Sequence, residues 1–395
     1  MQFALLGNDP LALPLIQALA RHATHRLVRL VGPRTSWNDS WKLPPTATSV
    51  GTWEELLIDQ AIDVVVVASQ SEQWQPVVRQ LVQADKGVIV LPSLAQSIPF
   101  FYELALVASE HPGKIFPLLT WRSHPLVVRL LEFLSTDNQK SVRHVQVDCR
   151  PVHESTPARV GLMTASDIEK ALVMDVDLLR RLFGTYDQVT ASRSGSDAAG
   201  YSLATVMLAG RSVPQVVWTA TAGEGAVANP EWTLTVAAED RGAVLEGSSE
   251  RGFSRLTLSM AGESTVIEAA QLDSGMDLLE QMTAPEGGTW WHELARAVEL
   301  VEAVERSVRR RRAIDVHFET PSERGLFKTQ MTAVGCSLLM LTLGAVVLYL
   351  VLAATVEMPQ LMKKILVGLT FLPLGAFLIL QLLVFVARPA ARDNR

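Results

Sequence analysis

The first 120 residues alternate short apolar runs with amphipathic segments. Residues 62–69 (IDVVVVAS) form a continuous apolar run rich in valine, which is typical of a strand buried on both faces. Strands that alternate with helices indicate βαβ units and a parallel sheet, so we predict an α/β domain with a doubly wound parallel sheet. Further strands are predicted at FALLG, HRLVRLVG and KGVIVLP, with helices at residues 11–21 and in QPVVRQLVQA.

After about residue 125 the apolar positions alternate with polar ones, as in half-buried strands. One long helix interrupts these strands, SDIEKALVMDVDLLRRLFG, with a predicted capping box at Ser166 and Glu169 and an end at Gly184. A last helix reads WWHELARAVELVEAVERSVRRRR. We predict a second, α+β domain with an open antiparallel sheet, whose strands are SVRHVQVDCRPV, SLATVMLAG, QVVWTATAG, EWTLTVAAED and SRLTLSMAG.

Two runs near the C-terminus carry no formal charge, 28 residues between Lys328 and Glu357 and 23 residues between Lys364 and Arg388. A membrane-spanning helix needs about 20 apolar residues, so each run is long enough to cross a bilayer. Two buried core helices are the alternative, which two adjacent runs of this length disfavour. We therefore predict a juxtamembrane linker at 319–330 and a transmembrane hairpin with helices at 331–356 and 365–387.

The basic residues predict the orientation of this hairpin, because loops rich in Lys and Arg stay in the cytoplasm. We expect a two-span protein of the inner (cytoplasmic) membrane with both termini in the cytoplasm. The lipid bilayer is therefore an expected partner of the protein. The outer flanks carry Arg309, Arg310, Arg311, Arg312, Arg324, Lys328, Arg388, Arg392 and Arg395, whereas the connecting loop carries only Lys363 and Lys364.

Composition narrows the classes of function. The hydrophobic fraction of 48% is high for a soluble enzyme, and the excess lies in the two C-terminal runs. The net charge of −6 argues against a nucleic-acid partner. Cys149 and Cys336 lie in a predicted strand and a predicted span, so neither a disulfide framework nor a metal site is expected. The N-terminus MQFALLGND lacks the features of a signal peptide.

Four segments occur in an order that resembles the Gfo/Idh/MocA family of oxidoreductases: TWEELLIDQAIDVVVVAS, ADKGVIVLPSLA, TWRSHP followed by VRHVQV, and MDVDLLRRLFG. The resemblance covers roughly residues 1–318. It implies a Rossmann domain at 1–121 and an α+β domain at 122–318, whose open sheet often mediates oligomers. It also implies NAD(P)-dependent chemistry on sugars or polyols.

The family's catalytic positions hold different residues in this chain. The lysine of the family's E-K-P motif is replaced by Pro92. In the helix motif D-x-G-x-H-x-x-D, the two carboxylate places and the histidine place hold Lys170, Asp177 and Met174, respectively. A thioether cannot transfer a proton, so the resemblance implies that the family's chemistry is lost here.

The cofactor turn G-x-G-x-x-G/A of the family matches Gly7, Asp9 and Ala12, with Asn8 between the first two. Asp9 places a negative charge where a diphosphate would lie, and like charges about 4 Å apart repel by roughly 4 kcal/mol at an effective dielectric constant of about 20. Asp9 also suits a helix cap. Arg34 favours the 2′-phosphate of NADP, and Ser69 lies in the family's next cofactor segment. NAD(P) binding is therefore expected to be weak or lost.

Two interpretations remain open. One is a membrane-anchored, catalytically degenerate scaffold or small-molecule sensor, with a membrane-protein partner or a second copy as its binding partner. The other is an active NAD(P)-dependent oxidoreductase with relocated catalytic groups such as His124 or His153. Arg122 and His124, at the predicted domain junction, are the polar candidates for a ligand site, although interdomain hydrogen bonds are the commoner role for such residues. His153 and Glu154 lie in a predicted loop.

Overall fold

The computed structural model describes two compact units, Met1–Glu319 and Thr320–Arg395. The residues described are 1–32, 37, 41–69, 74–92, 100, 103–104, 107, 114–135, 142–151, 162–223, 231–248, 252–269, 279, 290–316, 337 and 340–348.

The first sheet has six parallel strands in the order β3-β2-β1-β4-β5-β6, which confirms the doubly wound prediction. Strand β4 is buried along its whole length, as its run of valines predicts. The strand order reverses between β1 and β4, and doubly wound sheets bind ligands in the crevice outside the carboxyl ends of the strands at such a point. The elements are β1 Gln2–Gly7, a 3-10 turn Pro10–Ala12, α1 Leu13–Arg21, β2 Arg26–Val31, β3 Thr48–Val50, α2 Glu55–Ile58, β4 Val64–Ala68, α3 Gln75–Gln83, β5 Gly87–Val90 and β6 Ile115–Pro117.

The second sheet has nine strands in the order β14-β13-β12-β11-β7-β10-β9-β8-β15. Its elements are α4 Pro125–Ser135, β7 Val142–Cys149, α5 Ala165–Phe183, β8 Gln188–Ser196, β9 Gly200–Ala209, β10 Val216–Thr221, β11 Trp232–Ala238, β12 Arg241–Ser248, β13 Gly252–Met260, β14 Glu263–Glu268, α6 Trp290–Arg310 and β15 Ile314–Asp315.

The predicted antiparallel sheet contains one parallel pair, because β7 and β10 run parallel. Along the chain, helix α5 follows β7 and crosses over the sheet, and strands β8, β9 and β10 come after it. A crossover of this kind allows a later strand to return parallel to the first one. The remaining pairs are antiparallel.

The capping box of α5 also differs from the prediction. It consists of Thr164 and Asp167, two residues before the predicted Ser166 and Glu169. The Thr164 side chain accepts from the Asp167 N–H at 3.1 Å, and Asp167 accepts from the Thr164 N–H at 2.8 Å. Both pairs share the same spacing, so spacing alone cannot distinguish them. The predicted end at Gly184 is confirmed by its φ of 111° and its N–H bond to Arg180.

One apolar core passes from the first sheet into the second. It includes Val65 and Val67 of β4, Val147 of β7, and Leu178 of α5. Buried and partly exposed side chains alternate along the central strands of the second sheet. The buried ones, such as Trp218, face α5. The alternating residues, among them Gln146, Thr219 and Thr235, are half-buried on the opposite face, and this face is rich in threonine.

The prediction for the C-terminal runs falls mostly outside the described residues. The span at 365–387 lies wholly outside them, and of the span at 331–356 only 337 and 340–348 are described, all helical. Among the helices described, none combines the length and apolarity that a membrane crossing requires. Within residues 340–348, five apolar side chains are exposed: Met340, Leu341, Leu343, Val347 and Leu348.

Candidate functional site

The turn at the end of β1 brings two strands into close contact. Gly7 has a φ of 90°, and a Cβ at this position would lie 2.3 Å from the carbonyl oxygen of Ala68 in β4. The Asp9 N–H donates to the same oxygen at 2.9 Å. The glycine is therefore required by the local backbone, whether or not a ligand occupies the crevice. Ser69 follows β4 at the same edge.

The amide groups that begin the following turn are already engaged. Asp9 caps the turn, and its Oδ1 accepts from the Leu11 N–H at 3.0 Å. Pro10 has no N–H, and the Ala12 N–H donates to the Asp9 carbonyl at 3.1 Å. Free amides at a helix start are what binds a phosphate in this fold. Here the first three positions after Asp9 offer none.

An indole covers the other side of the turn. Trp37, which follows β2, donates from Nε1 to the Gly7 carbonyl oxygen at 3.1 Å and is buried. It lies in the same apolar cluster as Ala12, Leu15 and Ile16. This residue was not among the predicted site residues. A lone tryptophan in a loop has no periodic signal, and only the contact reveals its role.

Replacing Gly7 by alanine is expected to lower the free energy of unfolding by more than about 3 kcal/mol, because the Cβ would overlap the Ala68 carbonyl. Gly32→Ala is the matched control. Gly32 has a φ of 101° but nothing within 4 Å of a Cβ, so we expect only strain, about 1–2 kcal/mol. Urea titrations of the two variants measure both values, and equal losses would contradict this assignment.

Arg122 and Asp177 form a buried ion pair rather than a free ligand site. Arg122 Nε and Nη2 donate to the two oxygens of Asp177, both at 2.7 Å. Glu293 of α6 lies 3.4 Å from Arg122 and 2.9 Å from Arg180 of α5. Burial acts to lower the pKa of Arg122, but the hydrogen bonds and charge of Asp177 outweigh it and raise that pKa. The four charges balance, and Asp177 is fixed as a counter-ion.

His124 is a helix cap in a buried aromatic setting. Its Nδ1 accepts from the Leu126 N–H at 3.2 Å, and its ring meets Phe253 edge to face at 5.1 Å. Burial lowers the pKa of His124 to about 4, so the imidazole is neutral at physiological pH. With Nδ1 accepting, the ring proton lies on Nε2.

The remaining predicted positions that the structure describes lie on separate elements. Met174 is buried in the core, and Lys170, one turn earlier on α5, is exposed. Pro92 is buried two residues after β5, at the same sheet edge as Gly7 and Ser69, and Asn8 is exposed there. Arg34, His153 and Glu154 lie outside the described residues. Within the described part of the chain, no three His, Cys, Asp or Glu side chains are grouped to hold a metal ion.

Helix α5 also carries a buried carboxyl group that was not among the predicted site residues. Asp175 of α5 is 1% exposed, and its oxygens accept from the indoles of Trp218 at 2.5 Å and Trp232 at 2.8 Å. Burial, only partly offset by the two indole hydrogen bonds, raises the pKa of Asp175 to about 7. An acidic residue inside the apolar stripe of a predicted helix is the signal that could have found it.

Solved structures of oxidoreductases resemble this fold, whereas no protein-family model and no curated protein matches the chain. An oxidoreductase from Agrobacterium radiobacter, in complex with NAD+, L-tartaric acid and magnesium, has a TM-score of 0.63 at 14% identity over 80% of this chain and 98% of that one. The aldose-aldose oxidoreductase from Caulobacter crescentus, complexed with glycerol, scores 0.61 at 17% identity over 80% and 99%.

A protein described as a regulator also shares the fold. The transcriptional regulator Gal80p from Kluyveromyces lactis has a TM-score of 0.60 at 14% identity, over 80% of this chain and 93% of that one. Identities this low demonstrate a common fold and nothing finer. The chain therefore has the Rossmann-containing fold that these oxidoreductases and this regulator share.

Proposed function

We propose that this protein is a membrane-anchored Gfo/Idh/MocA-like protein that has lost hydride transfer and acts as a scaffold or a small-molecule sensor. The observation that carries the proposal is the closed turn after β1. The Asp9 carboxylate accepts a hydrogen bond from the Leu11 N–H, and the Trp37 indole N–H donates one to the Gly7 carbonyl oxygen. We infer that this turn does not fit a bound diphosphate, because its Leu11 and Ala12 amide donors are satisfied within the protein and Asp9 adds a negative charge there.

The chemistry of the crevice supports the same inference. Proline and methionine stand at two of the family's catalytic positions, and neither transfers protons. Asp177, which stands at a third, is held by Arg122 through two hydrogen bonds of 2.7 Å. A carboxylate whose two oxygens are both bound by one guanidinium serves as its counter-ion and is not free to take a proton from a substrate.

The proposed anchor is the C-terminal hairpin at 331–356 and 365–387, in the cytoplasmic membrane with both termini in the cytoplasm. The two charge-free runs support it. The five exposed apolar side chains within residues 340–348 support it too, because water disfavours such a surface. The threonine-rich face of the second sheet is a candidate surface for a second copy, and the hairpin for a membrane-protein partner.

The structurally similar proteins include one that favours an active enzyme and one that favours a protein without catalytic activity. One was solved with NAD+, which makes a nicotinamide cofactor the first ligand to test, while Gal80p is described as a transcriptional regulator. The alternative is an active NAD(P)-dependent sugar or polyol oxidoreductase with relocated catalytic residues. His124, one of its candidates, has a pKa of about 4 and already caps a helix.

The deciding measurement is NADH and NADPH binding to the full-length protein, by nicotinamide fluorescence and calorimetry. We expect no binding at millimolar cofactor. Micromolar binding by the unaltered protein would contradict the proposal and favour the active oxidoreductase.

Two substitutions of Asp9 separate its charge from its cap. Asp9→Asn keeps an oxygen that can accept from the Leu11 N–H and removes the charge. Asp9→Gly removes both. We expect cofactor affinity to rise in the order wild type, Asn, Gly, because the glycine variant also frees an amide for the diphosphate. If neither variant binds better than the wild type, the charge of Asp9 is not the obstacle, and Trp37→Ala becomes the next variant.

A further inference from the structure

Helix α6 ends at Arg310, within a run of four consecutive arginines, Arg309–Arg312, which we call the arginine cluster. All four are exposed. Among the described residues, no carboxylate pairs with any of them. The nearby acids Glu305 and Asp315 are engaged elsewhere, Glu305 with Arg193 at 3.0 Å and Asp315 with the Gln188 amide at 3.0 Å.

The backbone of this cluster is unusual. Arg311 has a φ of 51°, the left-handed conformation that glycine normally supplies after a helix end. The helix dipole favours the positive charges of Arg309 and Arg310 in the last turn. It gives no reason for a long cationic side chain at a left-handed position. The cluster therefore keeps its third guanidinium, that of Arg311, at a cost in local backbone energy.

The chain that follows indicates what the cluster meets. Sixteen residues separate Arg312 from the charge-free run 329–356. Basic clusters near a membrane segment are attracted to anionic headgroups. Each Lys or Arg near such a surface raises the affinity for it roughly fivefold. A polynucleotide is disfavoured by the net charge of −6.

We propose that the arginine cluster binds the anionic headgroups of a phospholipid surface. The binding orients the folded unit Met1–Glu319 against the bilayer. This inference rests on the proposed membrane attachment, and it adds a headgroup-specific contact that the hairpin alone does not require.

The test uses the full-length protein reconstituted into vesicles of phosphatidylcholine alone or with one-third phosphatidylglycerol. Hydrogen exchange of the peptide spanning residues 304–316 is measured by mass spectrometry. We expect exchange to slow at least about fivefold in the anionic vesicles, and we expect high salt to abolish the difference because it screens exposed charges. Equal exchange in both vesicles overturns the proposal.

Variants separate charge from fold. Replacing the four arginines by lysine should preserve the headgroup effect, and replacing them by glutamine should remove it. Arg211→Gln, at an exposed arginine outside the cluster, should leave it unchanged. Arg311→Gly is the sharpest variant, because it should raise the unfolding midpoint while it weakens the headgroup effect. If Arg311 had only a structural role, its replacement by glycine would lower both the unfolding midpoint and the headgroup effect, or change neither of them.

Failure of the attachment is distinguishable from failure of the cluster. If the protein is washed from neutral vesicles at alkaline pH, the hairpin anchor is wrong, and flotation of the added protein with anionic vesicles still tests the cluster. Protection by RNA without protection by phosphatidylglycerol would overturn the lipid assignment in favour of a polynucleotide.

Discussion

Replacing Asp177 by leucine is expected to lower the free energy of unfolding by about 3–5 kcal/mol, because it leaves the Arg122 guanidinium buried without its carboxylate. Glu293 lies 3.4 Å from Arg122 and is already paired with Arg180. It therefore cannot replace the two bonds of 2.7 Å that Asp177 makes. Urea denaturation of the full-length protein, followed by tryptophan fluorescence, measures the loss.

The matched control is the double variant Arg122→Met/Asp177→Leu, which removes both charges together. We expect it to recover most of the loss, since well-packed apolar residues often replace a buried ion pair without a net cost. The single variant Arg122→Met completes the double-mutant cycle. A double variant that loses as much stability as the two single ones combined would show that the residues act independently, contrary to the contacts.

Asp175 is expected to make the protein less stable as the pH rises from about 4 to about 7. Its carboxyl pKa is about 7 in the folded state, mainly because burial disfavours the charge, against the usual 3.8 of an aspartate. Between these values the folded state holds the proton more tightly than the unfolded state, so stability is fully present below about 4 and is lost as pH passes through the folded pKa. The loss is on the order of 4 kcal/mol.

Asp175→Asn isolates this contribution from those of the other carboxylates. The difference in unfolding free energy between variant and wild type should move in the variant's favour between pH 4 and pH 8, because Asn has no proton to lose. Trp218→Phe removes one indole donor and should raise the pKa of Asp175 further. A difference that does not vary with pH would mean that Asp175 does not titrate in this range.

The folded unit could be predicted from the sequence where a pattern is long and local. The valines of β4 and the apolar stripe of α5 predicted both elements, and the alternation of strands and helices predicted the parallel sheet. The three-residue strands β3 and β6 were missed because so few residues show no period. The parallel pair β7–β10 was missed because pairing partners are chosen across the sheet.

Part of the site was also predictable. Residue identity alone shows that the positions of Pro92 and Met174 hold no proton-transfer group. The two charge-free runs and the four arginines at 309–312 are likewise readable without coordinates. These properties depend on which side chain is present, and no folding is needed to establish them.

Tertiary structure alone decided what the polar groups near the crevice do. Arg122 and Asp177 are 55 residues apart in the chain, and Asp175 lies 43 and 57 residues from its two tryptophans. Trp37 reaches back 30 residues to Gly7. A hydrogen bond or an ion pair forms only between groups that packing brings within about 3–4 Å. For this reason the sequence determined which side chain stands at each position, whereas the fold determined whether each charged group near the crevice is a cap or a counter-ion.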